Sequence, residues 1–425
     1  MEVAVFLGTL GVLLPLGVPI GFILVLCGVT LMVSMDIFDP NIISQNIVMG
    51  TNNFSLMAIP FFMLAGEFMS KGGLSKRIVD FANVLIGRVK GGLGYAAILA
   101  SMIFAGLSGS AVADAAALGS ILIPLMVKNG YDRSRSTGLV CSGSVIAPII
   151  PPSIPMIVLA TSVGQSVGRM FMAGIVPGIL LGLALMTTWK LVVKKDGYND
   201  VRTYTKVEAK KMIIESIPAL IMPLIIVGGI RLGIVTPTEA GALAAVYALL
   251  VSLFIYKELK FSQLIEVFVE SAKSTGIVMF IVAAATGVGW IITVAQIPQT
   301  MVSLMEPLIK HPMILMLVMN VFFFIMGMVM DLTPNLLIFG PIVFPVIIAA
   351  GINPIYFGVI MVLNLTIGLI TPPIGTVLYL GCSVGNVTFP EVIKGVMPFL
   401  ITEIIMLLVF TLFPALIIVP MQWFM

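Results

Sequence analysis

Two stretches decide the architecture: Ala147-Pro148-Ile149-Ile150-Pro151-Pro152-Ser153 and Gly368-Leu369-Ile370-Thr371-Pro372-Pro373-Ile374-Gly375. Each places a double proline inside a long apolar run. A proline has no N–H, and its ring clashes with the carbonyl one turn back, so two in succession end a helix. Each double proline follows a second interruption, Gly106-Leu107-Ser108-Gly109-Ser110-Ala111 in the first case and Gly327-Met328-Val329-Met330-Asp331-Leu332-Thr333-Pro334 in the second. A shift of 221 positions aligns residues 106–180 with 327–401 without a gap. It pairs Gly106 with Gly327, Gly119 with Gly340, Pro124 with Pro345, Pro151-Pro152 with Pro372-Pro373, Gly174 with Gly395 and Pro177 with Pro398. Glycine and proline punctuate backbone, so their agreement implies one architecture used twice.

Working outward, the solvent must be lipid. Of 425 residues, 60% are hydrophobic and 10% charged, and the mean hydropathy is +1.18. A soluble core cannot use that much apolar surface. The three cysteines, Cys27, Cys141 and Cys382, are far apart, which leaves no disulfide framework or CxxC metal site. The one histidine, His311, adjoins Pro312 in an expected loop, which excludes most histidine catalysis and transition-metal chemistry. Nothing in the charge pattern suggests nucleic acid.

Apolar length divides the chain into an all-α polytopic membrane protein of two repeats, residues 1–200 and 201–425. The first reads as spans near 3–16, 18–35 and 55–70, a re-entrant hairpin at 91–127, a broken span at 134–163 and a span near 170–190. The second reads as spans near 212–230, 239–256 and 275–295, a hairpin at 312–349, a broken span at 353–384 and a span near 396–418. Five crossings is an odd number, so the second repeat is inverted. Charge fixes the orientation: with both termini outside, all of the 22 basic residues except Arg169, Arg231 and Lys310 fall on the cytoplasmic side. The dense cluster Lys190, Lys194, Lys195, Arg202, Lys206, Lys210 and Lys211 is among them. Asn41–Phe54, Ser75–Lys90 and Phe261–Lys273 mix polar and apolar residues at helical spacing and are expected to lie flat at the interface.

Broken helices leave carbonyls without donors, which hydrocarbon does not tolerate unless protein, ion or water satisfies them. Unwound carbonyls suit a cation, and the N-terminus of the following half-helix suits a carboxylate. The sequence therefore points to two Na⁺ sites, each joining one hairpin tip to one broken span. The first would use Gly106, Ser108, Ser110, Ala147, Ile150 and Pro151. The second would use Gly327, Met330, Asp331, Thr333, Gly368 and Thr371. Asp331 is the sharpest residue, an intramembrane acid at a hairpin tip. Asp114, whose repeat counterpart is Asn335, fits either an ion ligand or a cap on the hairpin. Ser144, Ser153, Asn335, Asn364, Thr366 and Thr376 fit either the lining of a substrate cavity or interhelical hydrogen bonding. Glu67, Glu239 and Glu403 read as span-end or polar-packing residues. No Lys or Arg falls deep in a span, so an anionic substrate would rest on hydroxyls, amides, half-helix N-termini and bound sodium.

At these residues the chain resembles the large membrane (M) subunit of the tripartite ATP-independent periplasmic (TRAP) transporters. The most specific stretches are residues 106–114, 149–153, Thr236-Pro237-Thr238-Glu239-Ala240-Gly241 and 368–375. The resemblance implies a bacterial inner-membrane protein working with a small four-span (Q) subunit and a periplasmic substrate-binding protein. It implies sodium-driven uptake of carboxylate-bearing solutes, sialic acid or C4-dicarboxylates among them. It also implies an elevator-type fold similar to divalent-anion/sodium symporters. Because the chain opens directly on its first span, the small subunit is expected on a separate chain. Two rival readings are a stand-alone anion/sodium symporter and an intramembrane aspartyl protease using Asp114 and Asp331. Those acids are not repeat mates, which weighs against the protease.

The charge asymmetry makes a direct prediction. Single cysteines introduced at Gly197 and Gln422 will react from opposite sides of the membrane, Gln422 from outside. Outside labelling at Gly197 by an impermeant maleimide would invert the orientation.

Overall fold

Helix boundaries follow the punctuation. The computed structural model describes residues 2–198 and 204–424; Arg202, and the boundary expected between residues 200 and 201, lie outside them. The first half runs α1 (Glu2–Leu13), α2 (Ile20–Ser34), α3 (Pro40–Thr51), α4 (Ala58–Lys71) and α5 (Leu74–Ile86). It continues with α6 (Gly92–Ser108), α7 (Ala111–Lys128), α8 (Arg133–Ser144), α9 (Ile154–Ser162) and α10 (Val167–Asp196). The second half runs α11 (Lys206–Arg231), α12 (Pro237–Leu250), α13 (Leu264–Val294), α14 (Ile297–Leu304) and α15 (Glu306–Ile309). It ends with α16 (Pro312–Val329), α17 (Leu332–Ala349), α18 (Pro354–Gly368), α19 (Thr376–Gly385), α20 (Phe389–Leu412) and α21 (Ala415–Trp423). No strand occurs among the described residues. Threonine–glutamate capping boxes start α11 (Thr205, Glu208), α12 (Thr236, Glu239) and α20 (Thr388, Glu391), satisfying amide groups the first turn would leave free. Glu239 is thus a helix cap, as its position suggested.

The 221-residue offset carries directly into helix ends. α7 begins at 111 and ends at 128; α17 begins at 332 and ends at 349. Packing across the halves is reciprocal. A methyl group added at Gly119 of α7 would lie 3.2 Å from Val384 of α19, and one added at Gly340 of α17 would lie 3.2 Å from Val163, which caps α9. Both glycines and both valines are repeat mates, so each hairpin packs on the half-helix of the other copy. At the junction of α8 with α20, Gly138 lies directly on the backbone of Gly395. Small residues of this kind let membrane helices approach closely.

Nine helices among the described residues are long and apolar enough to cross a membrane, and they include the hairpin arms α7, α16 and α17. The half-helices α8 and α18 are too short individually. At about 1.5 Å per residue, a dozen residues cover roughly 18 Å of a hydrocarbon core about 30 Å thick. Each pairs with its partner, α9 or α19, across a proline break. Large apolar side chains such as Leu224 and Ile265 are 71% and 75% exposed on the rim, as expected for a surface facing lipid.

The structure corrects three expectations. Phe261–Lys273 is not a separate interfacial segment. Past a single 3₁₀ turn it is the first part of α13, a continuous 31-residue helix with no proline to break it. The final span does not run 396–418: it begins at Phe389 and ends at Leu412, before Pro414, and α21 follows separately. Glu403 is neither at a span end nor packed on a polar partner. It is fully buried within α20, and both its carboxyl oxygens lack a hydrogen-bond partner.

The α8–α20 junction predicts a mutational contrast. Gly138→Ala adds a methyl group against backbone that cannot move aside, and it should destabilise the chain by about 1–3 kcal/mol. Gly8→Ala, which meets nothing within 4 Å, should not destabilise it. Thermal unfolding in detergent followed by circular dichroism separates the two.

Candidate functional site

The first hairpin tip is two residues long. Ser108 ends α6, Gly109 takes a left-handed turn at φ 64°, and Ser110 caps α7. Ser110 Oγ accepts from the Ala113 amide at 3.4 Å, and Ser108 Oγ accepts from the Ser110 amide at 3.3 Å. The Ser108 hydroxyl donates to the carboxyl group of Asp114, which is fully buried and whose second oxygen has no partner. One oxygen of Asp114 thus braces the tip, and the other is left without a donor.

The tip rests on the proline break. Gly109 contacts the Pro152 carbonyl, and a Cβ there would stand 3.1 Å from the Ile154 amide; at Gly106 it would stand 3.6 Å from the Pro151 carbonyl. Only glycine permits this approach. The prolines free the carbonyls of Ala147 and Pro148 from helical bonding. Ser153 answers one of these, donating to Pro148 O at 2.5 Å while capping α9 through the Met156 amide at 3.2 Å.

The second tip is built in parallel. Gly327 lies inside α16, and a Cβ there would sit 2.9 Å from the Leu365 carbonyl and 3.2 Å from Gly368. Asp331 is half-buried at the N-cap position of α17, where its side chain makes no capping bond. Asn335 replaces the Asp114 brace with donors. Its amide nitrogen reaches the carbonyls of Met326, Met330 and Asp331 at 3.2, 3.0 and 3.0 Å, and its Oδ1 is buried without a partner. Across the break the carbonyl of Leu369, freed by Pro373, accepts from the Val377 amide at 3.1 Å, and that of Gly368 accepts from Thr371 at 3.0 Å. The Thr371 hydroxyl turns back to Ile367 O at 2.7 Å. Both double prolines contain one cis peptide bond.

The structure therefore brings Gly106, Ser108 and Ser110 onto the break carrying Ala147, Ile150 and Pro151, and Gly327 onto the break carrying Gly368. The other second-site candidates, Met330 and Thr333, flank Asp331 at the tip. The six substrate candidates are placed differently. Ser144 and Thr366 bond backward within their own helices, to Cys141 O at 2.7 Å and Val362 O at 2.6 Å. Asn364 donates to Asn320 O at 2.9 Å and Asn320 Oδ1 at 3.1 Å, and Asn320 donates to Thr411 at 2.8 Å. Thr376 Oγ1 and Asn364 Oδ1 are buried without partners.

The open space lies elsewhere. A cavity of about 340 Å³ sits beneath the first tip, lined by Ser108 and Ser110 and by Glu67, Ser70 and Ser274 from α4 and α13. None of the six substrate candidates lines it. A second cavity, of about 450 Å³, lies between α3 and α13 on one side and α9 and α17 on the other, with Asn46, Asn53, Thr161, Ser162, Thr286 and Trp290 on its walls. Glu67, Ser70 and Ser274 were missed because α4 and α13 are far from the hairpin in sequence. The available signal was Glu67 itself, an acid facing Ser70 three residues on in an apolar helix. No Lys or Arg is buried among the described residues, and none of those residues forms a cluster of His, Cys, Asp and Glu fit for a metal.

Paired helical hairpins seated on paired broken helices, with a cavity at a tip, define a multi-pass membrane transporter. The chain belongs to the family described as "Tripartite ATP-independent periplasmic transporter, DctM component", which matches residues 7–416. It is 48% identical over its whole length and the whole of its relative to the 2,3-diketo-L-gulonate TRAP transporter large permease protein YiaN of Escherichia coli. It is 35% identical to the sialic acid TRAP transporter large permease protein SiaM of Vibrio cholerae, covering 96% of this chain and 95% of that one. Its fold matches that of the Alcanivorax borkumensis YdaH transporter, with a TM-score of 0.66 at 11% identity, over 88% of this chain and 87% of the other.

Asn335 makes the second tip testable. Asn335→Ala takes away the side-chain donor of the Met330 carbonyl and the second donor of the Met326 and Asp331 carbonyls, and should lower stability by about 1–3 kcal/mol, read as a fall in the unfolding temperature in detergent.

Proposed function

We propose that this chain is the membrane-spanning subunit of a sodium-driven importer of a carboxylate-bearing solute, a sugar acid in particular. One observation carries the reading: two repeat-related hairpin tips are seated on two proline breaks, where oxygens outnumber donors. Buried oxygens of Asp114, Asn335, Asn364 and Thr376 lack partners, and the prolines withdraw amide donors from the same places. Oxygen-rich, donor-poor pockets suit a hard cation. Na⁺ here is cargo that travels with the substrate. With no buried Lys or Arg to hold it, the substrate carboxylate depends on that cation and on the N-termini of α9 and α19. Binding of the anion after the cation then gives coupling.

The sugar-acid preference rests on the extent of likeness to a permease named for diketogulonate; the permease named for sialic acid is more distant. A periplasmic binding protein delivers the solute, and a separate small membrane subunit completes the complex in the inner membrane. The two cavities lie on repeat-related surfaces, one against α7 and α19 and one against α9 and α17. That arrangement suits an elevator in which the hairpins and broken helices move past a scaffold built from α2–α4 and α11–α13.

Asp331 tests the ion reading. Asp331→Asn keeps shape and removes charge, and the sodium concentration giving half-maximal uptake should rise roughly tenfold or more, the loss of one charge-assisted contact worth about 1.5–3 kcal/mol. Ser110→Ala should raise it less. An unchanged value in a folded Asp331→Asn protein would remove Asp331 from any ion site. In liposomes the chain should take up no solute until small subunit and loaded binding protein are both present; uptake by the chain alone would favour the stand-alone symporter.

A further inference from the structure

An open cleft of about 780 Å³ lies at the base of the first hairpin, far from its tip, where the α5–α6 turn meets the end of α10. Its walls are Ile86, Val89, Lys90, Tyr95, Lys190, Val193, Lys194, Gly197 and Tyr198. Lys190, Val193, Lys194 and Gly197 recur at three- and four-residue steps, so they share one face of α10. Lys90 faces them from the turn. None of the three lysines has an ion-pair partner among the described residues, and the acid on the same helix end, Asp196, is engaged by Arg135 at 3.3 Å. Among the described residues, nothing neutralises the triple positive charge of the cleft.

Its floor is rigid. The Trp189 indole N–H donates to Gly91 O at 2.9 Å. Trp189 stacks on Tyr131 and on Tyr198, at 5.9 Å between ring centroids in each case. Tyr198 OH accepts from the Asp132 amide at 3.2 Å. The Trp189–Gly91 bond therefore ties the α5–α6 turn to α10, and the aromatic stack ties the end of α10 to Tyr131 in the α7–α8 turn.

Depth decides what fits. α10 has 30 residues; at about 1.5 Å each it spans roughly 45 Å, longer than a hydrocarbon core of about 30 Å. Its last turns emerge at headgroup level. Apolar side chains flank the lysines at that level: Leu191 is 69% exposed, Leu85 53% and Val89 47%. A free anion would use only the lysines and phenols. An amphiphile would use those groups and the apolar flank as well.

We propose that this cleft binds the phosphate headgroup of an anionic phospholipid, whose acyl chains run down the apolar flank of α5 and α10. The site is separate from the transport pathway, and the inference does not rest on the substrate or coupling ion proposed above. The test uses the full chain, delipidated in detergent, with thermal unfolding and native mass spectrometry as readouts. Probes are dioleoylphosphatidylglycerol, dioleoylphosphatidylcholine and inorganic phosphate. Phosphatidylglycerol should bind more tightly than phosphatidylcholine and raise the unfolding temperature more. Each of Lys90→Gln, Lys190→Gln and Lys194→Gln should weaken that preference roughly fivefold, and the triple variant by on the order of a hundredfold. All three positions are exposed, so the variants fold. Lys206→Gln/Lys210→Gln/Lys211→Gln, a charge-matched control on α11, should keep the preference. The proposal is overturned if the wild type does not distinguish the two lipids, if the Lys90/Lys190/Lys194 triple variant retains the preference, or if the control loses it equally. Protection by inorganic phosphate equal to that by phosphatidylglycerol would replace the lipid with a free anion.

Discussion

A backbone carbonyl in hydrocarbon must find a donor, and this chain withholds donors at two places by design of sequence. Pro151-Pro152 and Pro372-Pro373 remove the amides that would have answered the carbonyls one turn earlier. Everything nearby compensates. Ser153 reaches back to Pro148, Val377 to Leu369, and two glycines let hairpin tips lie against the exposed backbone. Unbroken helices would need neither hairpin, and the cavity under the first tip would have no polar roof. The proposed ion sites therefore sit where helical bonding is incomplete.

The two tips solve the same problem with opposite chemistry. At the first, the buried carboxyl group of Asp114 accepts from a serine; at the second, the amide of Asn335 donates to three carbonyls. An acid therefore stands inside the first tip and another, Asp331, at the cap of the second, in positions that are not repeat mates. Architecture is shared between the copies, while charge placement has diverged. A symmetric acid pair is absent, which agrees with membership of a transporter family and not with a two-aspartate hydrolase.

The double prolines and their 221-residue echo marked both hairpins and both broken spans to within a few residues, because glycine and proline act through the local backbone. What escaped the sequence depends on neighbours distant in the chain. Glu403 read as a span-end or polar-packing residue; it is buried within α20, which packs on α8 and α10, helices distant from it in sequence. Ser144, Asn364 and Thr366 fitted either cavity lining or hydrogen bonding within the helical packing, and each makes the second kind of bond. Their hydroxyls and amides answer nearby carbonyls before any ligand arrives. The cavity wall from α4 and α13 is a product of tertiary packing alone. The fusion of Phe261–Lys273 into α13 shows that amphipathic spacing does not distinguish a flat helix from the wet end of a long one.

Gly138 of the first repeat lies on the backbone of Gly395 of the second, with no side chain between them. This contact works as a weld. The two copies share an architecture but are not freely exchangeable. A chimaera that took one half from a relative bearing any larger residue at either position would hold its halves apart at this contact. In this chain the unit of inheritance is the pair of halves.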